Sequence, residues 1–339
     1  MADTLFDVVG IGNALVDSLA PVTDEILAEL GLAKGAMTLA DEETDARVSR
    51  MLEKIDAGQV VERSGGSASN TMAGIASFGA RAAFIGKVRN DRLGKVFTDD
   101  IRGIGVHFTT PAAEGGPASG HCQALVTPDA QRTMQTFLGV SVELDESDLD
   151  KALIEGSEII YLEGYLWDSP RARQAFQKAC EIAHAAGRKV AFTASDSFCV
   201  ERHRKDFVDF VAKHVDILFA NEQEIIALYE TETLDEALRD VSKHCPMAIV
   251  TREAKGAVAV TAEGSWSCTA EPVAKVVDTT GAGDLFAAGV LVGVVQKKDP
   301  GVCLRMGAIA AAEVISHYGA RPECNLAELA ARVMEVEVA

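Results

Sequence analysis

Several absences narrow the field. None of the seven cysteines (Cys122, Cys180, Cys199, Cys245, Cys268, Cys303, Cys324) stands in a C-x-x-C pair, and their number is odd. Scattered thiols of this kind read as reduced side chains of a cytoplasmic protein, not as a disulfide framework. The opening MADTLFDVVG carries Asp3 and Asp7 and no basic residue, so no signal peptide is expected there. The longest apolar run, Leu285 to Val295, falls well short of the roughly 18 residues a membrane span needs. Internal repeats and low-complexity tracts are missing, and so is the phosphate-loop pattern G-x-x-x-x-G-K-[ST]. Basic charge is short, with 32 Lys and Arg against 51 Asp and Glu and a formal net charge of −19. That field repels nucleic acid and anionic membrane, and no Lys/Arg cluster overrides it. An anionic substrate must be held by local devices.

What is present is a strand–helix rhythm. LFDVVGIG, RAAFIGKV, SEIIYLEG, RKVAFTA, VDILFAN and MAIVTRE read as strands. Between them lie the helical stretches SASNTMAGIASFG, SPRARQAFQKACEIAHAAG, NEQEIIALYE and TLDEALRDVSKHC. Ser169-Pro170 marks a helix start and Gly187 its stop. Alternation of this kind predicts βαβ units, hence a mostly parallel sheet with helices on both faces. One α/β unit over residues 1–339 is expected. Two excursions, about 15–63 and 106–138, break the rhythm with Gly, Pro and Asp turns and read as antiparallel strands forming a small lid.

Three glycine-bearing segments carry the chemistry. Gly10-Ile-Gly12 follows the first strand, but a dinucleotide fingerprint needs a third glycine where Leu15 stands. That weakens a nicotinamide-dependent dehydrogenase and leaves a strand-end turn or a site for a hydroxylated ligand. The second segment, Arg63-Ser-Gly65-Gly66-Ser67-Ala-Ser-Asn70, opens a helix. Its glycines let another molecule approach the backbone, while Ser67 and Asn70 serve as cap or as ligand groups. In the third, Asp278-Thr-Thr280-Gly281-Ala282-Gly283-Asp284, backbone N–H groups gather at a helix N-terminus. They suit charge developing on a transferring phosphoryl group. Asp284 would repel an anion there, and makes sense as a base for the attacking hydroxyl.

DTTGAGD resembles the C-terminal signature of the ribokinase/adenosine kinase family, the phosphofructokinase-B-type carbohydrate kinases. SGGSASNTMAGIASFGARAAFIGKVRNDRLG resembles that family's N-terminal signature. The resemblance implies a ribokinase-like doubly wound fold and ATP-dependent phosphorylation of a primary alcohol. It makes Asp284 the base, Gly281, Ala282 and Gly283 the anion hole, and Arg132 the lid arginine reaching the transferring phosphate. Asn13, Asp17, Gly65, Gly66, Ser67 and Asn70 become acceptor ligands. Asn221 and Glu224 match the N-x-x-E motif that governs Mg²⁺, through water in this reading. Thr251, Gly256, Thr280 and Ala311 would hold ATP, though Glu253 replaces a family glycine. GNALVDSLA and EGYLWDSP resemble the adenosine kinase branch, which nominates Leu15, Leu166 and Trp167 for a nucleobase pocket. The acceptor expected is therefore a nucleoside, adenosine first. A sugar is the alternative, and a non-catalytic binding member a more distant one. A monovalent cation such as K⁺, and a monomer or homodimer, complete the implied picture.

Overall fold

The computed structural model describes residues 4–54, 60–129 and 131–336. Part of the first excursion (residues 55–59), Ala130 of the second and the first three residues of the opening segment lie outside them. The chain runs β1 (Phe6–Ile11), β2 (Leu15–Pro21), α1 (Asp24–Leu30), β3 (Met37–Leu39), α2 (Glu42–Leu52), β4 (Val61–Gly65) and α3 (Ser67–Ser77). It continues β5 (Ala82–Ile85), α4 (Arg92–Gly103), β6 (His107–Phe108), β7 (Gly120–Val126), β8 (Arg132–Phe137), α5 (Lys151–Glu155) and β9 (Ser157–Glu163). Then come α6 (Pro170–Ala185), β10 (Lys189–Thr193), α7 (Ser197–His214), β11 (Ile217–Asn221), α8 (Glu222–Tyr229) and α9 (Leu234–Val241). The last elements are β12 (Met247–Thr251), β13 (Ala257–Thr261), β14 (Gly264–Cys268), α10 (Ala282–Val295), α11 (Pro300–Val314) and α12 (Leu326–Val336).

The six sequence-predicted strands form one continuous parallel block, β12-β11-β10-β9-β1-β5. β6 extends it in parallel at one edge, and β13 and β14 extend it antiparallel at the other. Alternation along each strand feeds two separate cores. Val8, Ile159 and Tyr161 face α3, α4, α10, α11 and α12. Val9, Ile11, Ile160 and Leu162 face α5 to α9. The chain winds outward from β1 through β5 to β6, then returns to lay β9 on the other side of β1. That reversal opens a crevice at the carboxyl ends of β1 and β9, the place where doubly wound sheets bind ligands.

The second sheet has the order β3-β8-β7-β2-β4 and draws strands from both excursions. Within each excursion the expected antiparallel pairing is present, β2 with β4 and β7 with β8, but between the excursions it needs correcting. β2 with β7, and β3 with β8, are parallel. The neighbours come from different excursions that leave the main sheet side by side and run the same way, Leu15 opposite Gly120 and Pro21 opposite Val126. The second excursion also starts later than expected, because His107–Phe108 still pairs with β5. Two helices went unread in the first one. α1 and α2 bury Leu27, Leu30, Val48 and Leu52 against Leu125 of the sheet.

Leu166 and Trp167 are corrections too. Leu166 is fully buried and Trp167 nearly so, both in the core on the α6–α7 side. The Trp167 ring centroid lies 4.7 Å from Phe210 and 5.3 Å from Phe207. An indole so enclosed offers no face to a base. Leu166→Ala is expected to lower stability by about 2–5 kcal/mol, read as a fall in melting temperature with the acceptor KM unchanged. A raised KM at unchanged melting temperature would return Leu166 to the pocket.

Candidate active site

The crevice is built by close backbone approach. At the end of β1, a β-carbon on Gly12 would fall 2.4 Å from a Glu163 oxygen and 2.6 Å from Ala68 Cβ. Glu163 accepts from the Asn13 amide nitrogen at 2.7 Å and from the Ala68 N–H, at the start of α3, at 2.8 Å. The Gly10-Ile-Gly12 turn therefore accommodates a carboxylate, which is incompatible with a pyrophosphate seat. Asn13 is itself spent. Its oxygen accepts from Ser141 Oγ at 2.8 Å, and only 2% of the residue is exposed. It orients Glu163 instead of facing a ligand, which corrects its expected role. Leu15 is also taken up, packing on Gly120 at the joint between the sheets.

Gly65 and Gly66 have separate reasons to be glycine. A β-carbon on Gly65 would meet the Asp17 carboxyl at 2.3 Å. Gly66 has φ 93 and lies against the Asn13 carbonyl. The turn they make delivers α3 with its first residues aimed at Asp284. Ser67 Oγ donates to one Asp284 oxygen at 2.6 Å, and Asn70 Nδ2 to the other at 2.9 Å. That fixes the Asn70 amide, so its oxygen points elsewhere. Asn70 Oδ1 is buried without a hydrogen-bond partner, an acceptor left over for a ligand hydroxyl.

Asp284 occupies the first turn of α10 and is partly exposed. Burial raises its pKa, opposed by the bonds from Ser67 and Asn70 and by the charge of Arg321. Burial likewise pushes Asp17 up to about 6, against the pull of Arg321, Arg132 and His121. Glu163 is pushed to about 7 by burial, against the donors from Ala68 and Asn13. A carboxylate has about four acceptor positions, so Asp284 retains capacity to take a proton.

Beside Asp284, Gly281 stands at φ 79 with no room for a side chain, since a β-carbon would meet Ala320 at 2.7 Å. Gly283 is exposed and faces open space. Its bare backbone at a helix N-terminus fits a phosphate. Ala282 contributes less than expected, because its N–H already donates to Thr279 O at 3.2 Å. Arg132 crosses from β8 of the second sheet to this loop, pairing with Asp278 and donating to Thr280 Oγ1 at 2.9 Å.

The nucleotide-side candidates lie further along the sheet edge. Asn221 and Thr251 are register partners at the ends of β11 and β12. Asn221 and Glu224 form a reciprocal helix cap, Glu224 N–H donating to Asn221 Oδ1 at 2.8 Å and Asn221 Nδ2 to Glu224 at 2.5 Å. Glu224 is buried and pushed up to about 7 by that burial. Among the described residues no three His, Cys, Asp or Glu side chains gather around a metal position. Both Glu224 oxygens accept from Asn221, so the pair offers a metal no free ligand and would reach Mg²⁺ only through its waters. Gly256, at φ 87, is packed against Cys268 O, and Glu253 adopts φ 52, the region the expected glycine favours. Ala311, on α11, is half-buried and borders the surface, one turn beyond Gly307, whose missing side chain lets α11 close on Phe286 O of α10.

Sequence reasoning missed Glu163 and Arg321. Glu163 stood near the end of a predicted strand and opened EGYLWDSP, but nothing in that segment singled it out as a site residue. Arg321 lies in RPECN, outside every motif, yet its guanidinium binds Ser64 and Ser69 on either side of the glycine turn.

Residues 36–327 match the pfkB family carbohydrate kinase. The solved adenosine kinase from Sinorhizobium meliloti is 45% identical, with a TM-score of 0.87 over 97% of this chain and 99% of that one. A solved “probable sugar kinase protein” from Rhizobium etli CFN 42 is 41% identical, with a TM-score of 0.88 over 98% of this chain and 99% of that one. The adenosine kinase of Saccharomyces cerevisiae is 28% identical and aligns over 91% of this chain and 94% of its own length. The ribokinase-like fold expected from the two signatures is the fold of these structures, and the adenosine kinase-like branch is supported. With its two glycine loops meeting around Asp284, the chain belongs to the pfkB family of carbohydrate kinases and is a phosphotransferase with an alcohol group as acceptor.

Proposed function

We propose that the protein transfers the γ-phosphoryl group of ATP to the primary 5′-hydroxyl of a nucleoside, adenosine first. Kinases of this family use ATP and Mg²⁺. The observation that carries the proposal is the group around Asp284. A carboxylate held by Ser67 and Asn70 stands one residue from an exposed glycine at a helix N-terminus. In this reading Asp284 takes the proton of the acceptor hydroxyl as the oxygen attacks phosphorus. The amides near Gly283 face the developing negative charge. Asp17 and the free Asn70 oxygen accept from acceptor hydroxyls. Arg132 holds the second sheet over the loop and directs positive charge at the transferred group. Mg²⁺ would offset the charge of the nucleotide phosphates, with Glu224 and Asn221 nearest its waters. Closure of the second sheet excludes water, so ATP is not wasted on hydrolysis.

The nucleoside reading draws on the adenosine kinases among the relatives. One observation favours a sugar acceptor instead. Leu166 and Trp167, nominated for a base pocket, are enclosed in the core, and the groups around Asp284 are polar.

ADP release from Mg-ATP, measured across adenosine, other nucleosides, ribose and fructose, tests the acceptor. Adenosine is expected to give the highest kcat/KM, and turnover of sugars with adenosine inert would overturn the nucleoside reading. Asp284→Asn is expected to cut kcat by ~10²–10⁴ while leaving the acceptor KM nearly unchanged. Near-normal turnover of that variant removes Asp284 as base. The pH profile follows from the raised pKa of Asp284. The protonated acid has no charge with which to draw a proton, so activity falls as pH drops through that pKa. The acid limb of kcat/KM should accordingly lie above the ordinary aspartate value of 3.8 and be missing from the residual activity of Asp284→Asn.

A further inference from the structure

The segment between α11 and α12 touches both glycine loops within three residues. Gly319 N–H donates to Asp278 at 2.9 Å, and Ala320 packs on Gly281. Arg321 then turns inward and is 8% exposed. Its Nε donates to Ser64 O at 3.0 Å and Nη1 to Ser69 O at 2.7 Å. Nη2 donates to the hydroxyls of both serines at 2.8 Å. Ser64 is held from the other side by Asp100, which accepts its N–H at 2.8 Å and its hydroxyl at 2.5 Å. Three donor nitrogens in one rigid plane thus span the Gly65–Gly66 turn, which a lysine cannot do.

We propose that Arg321 is a positioning residue for phosphoryl transfer: its guanidinium clamps the serines that bracket the Gly65–Gly66 turn, so one buried cation shapes the turn that carries Ser67 and Asn70 to Asp284 and places a positive charge in the same crevice. No reacting atom touches it; it acts through Ser67, Asn70 and its own charge. The surroundings are crowded with charge of the other sign. Asp100, Asp17 and Asp284 draw on the guanidinium, and Arg63 opposes it. Tyr161, Glu163 and Tyr165 face Asp284 from β9 and the turn after it. Arg132 and His121 face Asp17 from the second sheet. Burial pushes Arg321 down only to about 10, so it keeps its proton at neutral pH.

A purely structural staple and a charged positioning residue differ in one measurable quantity, the titration of Asp284. Carboxyl ¹³C NMR on aspartate-labelled protein reads it without any acceptor, the Asp284 resonance being assigned by its loss in Asp284→Asn. In Arg321→Gln the titration is expected to move up by about one pH unit. In Arg321→Lys, which keeps the charge and loses the fork, it should move less. An unmoved titration in folded Arg321→Gln overturns the proposal. The same coupling is readable in the unmutated protein, which covers a variant that does not fold. The slowly exchanging Arg321 ¹⁵Nε resonance should shift with pH in step with Asp284, and a resonance blind to that titration overturns the proposal equally. Only the kinetic arm rests on Asp284 being the base. With an acceptor the wild type phosphorylates, the acid limb of kcat/KM should move together with the NMR titration. An NMR shift with a stationary limb supports Arg321's hold on Asp284 and overturns the assignment of the base.

Discussion

Two hydrogen bonds, from Ser67 and Asn70 to Asp284, join residues more than two hundred positions apart and organise everything around them. They require α3 and α10 to lie unusually close. Gly74 provides that, since a β-carbon there would meet both Ala288 and Leu285 at 2.6 Å. On its other side α10 is pressed equally close to α11 through Gly289 and Gly293. The small residues of LFAAGVLVGVV are therefore spent on bringing helix backbones together. The apolar run is long because the helix is enclosed on all sides, as its uniformly buried stretch from Leu285 to Gly293 confirms.

The same closeness creates an electrostatic cost. Asp17, Glu163 and Asp284 share a poorly hydrated crevice, and burial raises the pKa of each. A carboxyl with a raised folded-state pKa binds its proton more tightly folded than unfolded. Its contribution to stability is greatest below the unfolded value near 4 and is lost as pH rises through about 6 for Asp17 and about 7 for Glu163. These groups therefore make the fold less stable at neutral pH, in exchange for carboxylates poised close to physiological pH. Arg321, the donors on Glu163 and the donors on Asp284 limit that cost without abolishing it.

How far the sequence could be read depended on whether a signal was local. The parallel block was legible because each strand is a β-branched run and each connection a helix-length stretch, both visible in a short window. Asp284 and its loop were legible because two small residues and a carboxylate must lie consecutively. Glu163 and Arg321 were not, because the partners of Glu163 lie 95 and 150 residues away, those of Arg321 more than 250, and nothing beside them marks the contact. α2 was overlooked although Asp41 caps it and Val48 and Leu52 repeat at helical spacing. The parallel pairs of the second sheet were unreadable in principle, since each combines strands from different excursions. Leu166 and Trp167 misled for a related reason. Apolar residues just past a strand end look alike whether they enter the crevice or the core behind it, and only the rings of Phe207 and Phe210 decide.

The two carboxylates of DTTGAGD differ in what reaches them. Asp278 accepts from Thr280 N–H at 3.0 Å, Thr280 Oγ1 at 2.7 Å and Gly319 N–H at 2.9 Å, besides pairing with Arg132. With four donors and 7% exposure it is saturated, and it ties the loop to the second sheet and to the segment carrying Arg321. Asp284 accepts from two side chains and stays open on one side. The spacing produces the difference. Asp278 precedes the turn and folds back on the amide two residues ahead, while Asp284 follows Gly281 onto the helix and points across to α3. A shorter interval would place both on the turn, where each would compete for the same donors. A longer one would carry the second carboxylate around the helix, away from the glycine whose backbone faces the open cleft.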